Sequence, residues 1–94
     1  MQPRWRVPAS QQLLFEDLDD GVVLFDAQVG GTHLVNPTAA EALEVILESP
    51  GLTAAQIHRR VLDRLGLTDQ ALPLAALDEL LHKLAELWLI ASDA

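Results

Sequence analysis

Cysteine is absent from these 94 residues. That removes disulfides, thiolate metal sites and cysteine nucleophiles, and it fits a reducing compartment. No apolar run approaches the roughly 20 residues needed to span a bilayer. The N-terminal Met1-Gln2-Pro3-Arg4-Trp5-Arg6-Val7-Pro8 lacks the apolar region of a signal peptide. The sequence therefore predicts a cytoplasmic protein with no membrane partner. Cations are scarce as well: 6 Lys and Arg stand against 14 acids, a net charge of −8. Such a domain repels phosphate backbones, which argues against nucleic acid as a partner. Neutral or basic partners fit better, whether a peptide, a protein or a cationic ligand. The competing explanation is that surface acids only keep a small domain soluble.

Signatures of catalysis are missing too. His33, His58 and His82 fall on three different expected elements with no i,i+4 His pair, so no metal site or cofactor is indicated. The hydroxyls Ser10, Thr32, Thr38, Ser49, Thr53, Thr68 and Ser92 mostly sit at turns or caps, where a structural role accounts for them. There is no Gly-x-Ser-x-Gly elbow and no phosphate-cradling glycine loop. Glu16, Asp17, Asp19, Asp20 and Asp26 gather around one hairpin. Paired carboxylates can serve acid–base chemistry, but these flank a turn where nothing prepares them. They read as a solvated face, or as an acidic rim that steers a basic peptide. The chain reads as a non-enzyme.

What is present is a single domain over residues 1–94, half of it apolar, which suffices for one core. Neither a repeat nor a low-complexity segment interrupts it. Residues 1–10 suggest an extended arm anchored by Trp5. Residues 11–36 carry a meander: Leu13 to Asp17, a turn at Asp19-Asp20-Gly21, Val22 to Asp26, a turn over Ala27 to Gly31, then Thr32 to Val35. Asn36 is a good N-cap and Pro37 suits the first helical position, so the third strand runs straight into a helix.

Residues 37–90 then read as three helices. The first, Pro37 to Glu48, turns Ala39, Leu43, Ile46 and Leu47 inward. The second opens on a Thr53–Gln56 capping box, buries Ala54, Ile57, Val61, Leu62 and Leu65, and closes on Gly66. The third runs from Pro73 to about Leu89. Its apolar residues Leu74, Leu77, Leu80, Leu81, Leu84, Ala85, Leu87 and Trp88 sweep about half the circumference at roughly 100° per residue. Two explanations stand: the helix is central, or one margin lines a groove. The fold class is α+β, a three-stranded antiparallel meander followed by a three-helix, winged-helix-like bundle. As a helix-turn-helix reader of DNA its last helix would offer Asp78, Glu79, His82, Lys83 and Glu86, mostly acids where base readout needs donors. The basic residues His58, Arg59, Arg60 and Arg64 lie on the preceding helix instead.

The stretch Gly31-Thr32-His33-Leu34-Val35-Asn36-Pro37-Thr38-Ala39-Ala40-Glu41-Ala42-Leu43 resembles the PqqD-like family, in which a strand ends in a Leu-Asn-x-x-Ala/Gly-x-x-Ile/Leu junction. With Arg4-Trp5-Arg6 ahead of it, the chain is similar to the PqqD-type proteins of HPr-related A systems. The resemblance implies a RiPP recognition element: a non-catalytic peptide chaperone that binds a precursor leader peptide and presents it to a modifying enzyme of the same biosynthetic system. The leader would add as a strand beside the third strand, against the third helix. Carried onto this sequence, the peptide-binding residues are Thr32, His33, Leu34 and Val35 on the strand, and Leu74, Leu77, Asp78, Leu81, His82 and Ala85 on the helix. His33 reads equally as a contact on the strand surface or as a core-edge histidine. An exposed edge strand would also permit a homodimer. The alternatives are a structural adaptor docking an enzyme through Arg59, Arg60 and Arg64, or a winged helix-turn-helix regulator.

Overall fold

A computed structural model describes residues 2–8, 13–19, 21–26 and 31–92, and within them the chain is α+β. In order the elements are β1 (Arg4–Arg6), β2 (Leu13–Leu18), β3 (Gly21–Asp26), β4 (Gly31–Val35), α1 (Pro37–Glu48), β5 (Leu52–Thr53), α2 (Ala54–Leu65), α3 (Leu74–Glu86) and β6 (Ala91–Ser92). The meander is antiparallel in the order β2-β3-β4. Asp20, the side chain of Asp26 and the turn over Ala27 to Gly30 lie outside the described residues.

The junction out of the meander is one residue long. Asn36 has extended dihedrals, and its side chain accepts from the Ala39 N–H at 2.7 Å. Pro37 follows at the first helical position, where no N–H is needed. Thr53 caps α2 through the expected reciprocal box with Gln56, and Gly66 ends it at φ 65°, in the left-handed region.

A second sheet was not expected. The N-terminal arm forms its middle strand, in the order β5-β1-β6, with Trp5 paired to Leu52 on one side and Ser92 on the other. Trp5 is 3 % exposed and joins one core with Leu24 of β3, Leu43 and Ile46 of α1, Ile57 and Val61 of α2, and Leu77 and Leu81 of α3. Residues Arg4–Arg6 of the arm are thus part of the folded body.

Helix α3 stops three residues short of the expected Leu89. The Leu89 N–H bonds to the Leu84 carbonyl at 3.1 Å and the Trp88 N–H to the Ala85 carbonyl at 3.0 Å, the closing pair of a Schellman motif. Its left-handed position is filled by Trp88, at φ 64°, where glycine is usual. The reversal moves Leu87 and Trp88 off the inward face and buries Leu89 and Ile90 instead. Leu47, expected inward on α1, is also exposed, while Ala40, Ala42 and Val45 are buried.

Gly21 sits where β3 meets the end of β4. A Cβ there would lie 2.9 Å from the Val35 carbonyl oxygen, and its φ is +155°. Both the contact and the dihedral oppose a side chain. Gly21→Ala is expected to cost about 1–3 kcal/mol, read as a lower urea midpoint with unchanged slope.

Helices α1 and α2 are joined by charge. The Arg64 guanidinium donates to Glu48 and, at 3.3 Å, to Glu41, with Glu44 at 3.8 Å. The hydrogen bond from Arg64 holds the Glu48 carboxyl below the usual range. Burial, and then repulsion from Glu41, pushes Glu44 above it, with Arg64 opposing. The two carboxylates therefore act with opposite sign. Glu48 stabilises the fold above its unfolded pKa, and this is lost as pH falls through its lowered folded value. Glu44 disfavours the fold once pH rises through its raised value. At neutral pH, Glu44→Gln is expected to raise Tm by on the order of 1–2 °C and Glu48→Gln to lower it. Both effects vanish when melts are repeated below the carboxylate range.

Candidate functional site

β4 pairs with β3 through Val22–Val35, Val23–Leu34, Leu24–His33, Phe25–Thr32 and Asp26–Gly31, and has no second strand neighbour among the described residues. Its far side is a sheet edge, with backbone groups that β3 does not use. Along it the side chains alternate as a pleated strand requires. Thr32 and Leu34 point outward and are exposed; His33 is half-buried; Val35 is buried in the core.

Where β4 passes into α1, a cleft of about 250 Å³ opens toward α3. Asn36 and Thr38 line one wall; Ala76, Glu79, Leu80 and Lys83 of α3 line the other, with Leu72 at the end. Half-buried Leu80 is the apolar part of the helix wall, and Glu79 and Lys83 put both signs of charge beside it.

The α3 residues expected from sequence lie elsewhere. Leu77 and Leu81 are fully buried in the core and present no surface. Leu74 and Asp78 line a different cavity, about 450 Å³, formed with Gln2, Pro3, Ala54, Ala55 and Ala75. His82 meets the Trp5 ring edge-on, with centroids 5.4 Å apart, and its Nδ1–H donates to the Asp78 carbonyl at 2.8 Å. Ala85 is half-buried. These residues belong to the core stripe or to its flank against β1 and α2. The opposite flank, Ala76, Glu79, Leu80 and Lys83, is the one that faces Asn36 and Thr38 at the start of α1.

The basic face of α2 is partly engaged within the fold. Arg60 donates to Ser49 Oγ at 2.9 Å, and Arg64 serves the α1 carboxylates. His58, grouped by sequence with the arginines, is buried; its Nε2–H donates to the Leu72 carbonyl at 2.7 Å and fixes the loop before α3. Arg59 remains exposed, beside a third cavity with His58, Leu62, Asp69, Pro73 and Leu74.

Glu16, Asp17 and Asp19 are exposed. His33, His58 and His82 stand on separate elements, and no group of three or more His, Cys, Asp or Glu among the described residues is placed to hold a metal ion. No helix among them is long and apolar enough to cross a membrane. No family model matches the chain, and the searches of curated proteins and of solved structures likewise find no match.

Proposed function

We propose that this chain is a non-catalytic peptide-binding module of the RiPP recognition type. It takes an extended segment of a precursor leader as a strand beside β4 and holds it for a modifying enzyme. The observation that carries the reading is the position of β4, at a sheet edge and joined to α1 through Asn36 alone. An edge strand free to slide would give a peptide no fixed register. Here the capped helix fixes the end of the strand, and its register with β3 fixes the rest.

Main-chain hydrogen bonds along β4 supply affinity, and alternate side chains of the guest supply selection. Guest side chains on the inner face run toward the cleft, where Leu80 takes an apolar group and Glu79 and Lys83 discriminate by charge. Side chains on the outer face lie beside Thr32 and Leu34. The α3 contacts in this proposal are thus Ala76, Glu79, Leu80 and Lys83, in place of the core stripe.

The test is an NMR titration with peptides encoded beside this gene. Amide shifts over Gly31 to Val35 and at Ala76 and Leu80 are expected. Shifts confined to α2, with β4 silent, would overturn strand addition and favour an adaptor that docks through α2.

A further inference from the structure

Strand addition would use the edge of β4 and leave the outer face of the meander open. Register places Leu14, Phe25 and Thr32 in one row across that face, and Glu16, Val23 and Leu34 in the next. Leu14 is 59 % exposed, Phe25 39 % and Leu34 68 %, and Leu18 at the turn is 51 % exposed. Apolar side chains from three neighbouring strands therefore adjoin on one exposed surface. Scattered exposed leucines need no explanation, but a contiguous group in register marks a contact surface.

Charge says what kind of partner covers it. Residues 7–58, which contain the whole meander and α1, hold 8 acids and no Lys or Arg. The rest of the chain balances 6 acids with 6 bases, so the entire net charge of −8 belongs to the half that carries this face. Arg64 reaches across to the α1 carboxylates, yet no cation lies within the meander sequence itself. A second copy packed face to face would oppose two such halves, and an anionic lipid surface would be repelled. A cationic partner gains from the same field, both in affinity and in the rate of encounter.

We infer that the outer face of β2-β3-β4 docks a basic amphipathic segment of a partner protein. Its apolar side covers Leu14, Val23, Phe25 and Leu34, and its Lys or Arg side chains meet Glu16 and Asp19. This surface is separate from the β4 edge and stands whether or not a peptide adds there.

The experiment titrates the isotopically labelled full chain with two synthetic amphipathic helices of identical apolar face, one with Lys and one with Glu on the polar side. The Lys helix is expected to shift Leu14, Val23, Phe25 and Leu34, and the Glu helix to leave them unmoved. Leu14→Ser and Leu34→Ser are each expected to weaken the Lys helix roughly tenfold. Both positions are exposed, and a thermal melt confirms that the variants fold. Failure of the Lys helix to bind, equal binding of both, shifts outside β2–β4, or insensitivity to both substitutions overturns the inference. Concentration-dependent dimerisation abolished by Leu34→Ser also overturns it, by giving the face to a second copy.

Discussion

Trp5→Ala is expected to cost about 3–5 kcal/mol, a large part of the roughly 5–15 kcal/mol that holds a typical domain folded. Trp5 is nearly fully buried, and it is the middle residue of the strand that both β5 and β6 pair against. Its ring also receives His82 edge-on. Truncation opens a cavity where the arm, the entry to α2 and the end of the chain converge. Trp5→Phe should cost far less. It keeps an aromatic ring in place, and it removes an indole N–H that is buried without a hydrogen-bond partner, a group whose burial is itself unfavourable. Urea denaturation of both variants, followed by far-UV circular dichroism, checks this, because the unfolding of the helices reports stability without relying on the indole that both variants remove. Equal losses for Ala and Phe would mean that the packing argument is wrong.

Much of the fold was legible where one residue type has one physical job. Asn36-Pro37, the Thr53–Gln56 box and Gly66 mark helix ends by satisfying backbone groups locally, and each sits where the sequence placed it. The meander was legible because its strands are five or six residues long and punctuated by glycine. The second sheet was not. Its strands are three, two and two residues long, too short for alternation to register, and they meet only after the helices have folded back. The end of α3 misled for a related reason. Leu87-Trp88-Leu89-Ile90 continues an apolar helical pattern, and tryptophan gives no sign that it will take the left-handed position.

The α3 wall of the cleft was illegible for a geometric reason. A helical projection ranks residues by distance from the core stripe, here Leu77, Leu81 and Leu84. It cannot tell which flank faces which neighbour. Leu74, Asp78, His82 and Ala85 lie on one flank; Ala76, Leu80 and Lys83 lie on the other. Only the placement of the start of α1 beside the helix selects the second flank for the cleft. The place of β4 in the sheet carries no such ambiguity, because a strand edge is set by pairing order rather than by rotation.

Two prolines on β4 separate docking from folding. Successive N–H groups of an antiparallel strand point to opposite sides, so of His33 and Leu34 one donates toward β3 and the other out over the open edge. Proline at the inward position removes a ladder hydrogen bond and is expected to cost about 1–3 kcal/mol of stability. At the outward position it leaves the ladder intact, since proline is tolerated on edge strands whose N–H faces solvent. That variant should melt close to the wild type yet bind leader peptide at least roughly tenfold more weakly, because a docking donor is lost and the ring obstructs the incoming strand. Calorimetric titration of both variants, with thermal melts alongside, reads the two effects separately. Wild-type affinity in the outward variant would exclude strand addition at β4 even if peptide binds. Loss of binding with stability preserved would tie recognition to the backbone of this edge, an effect that substitution of the exposed Leu34 side chain alone cannot reproduce.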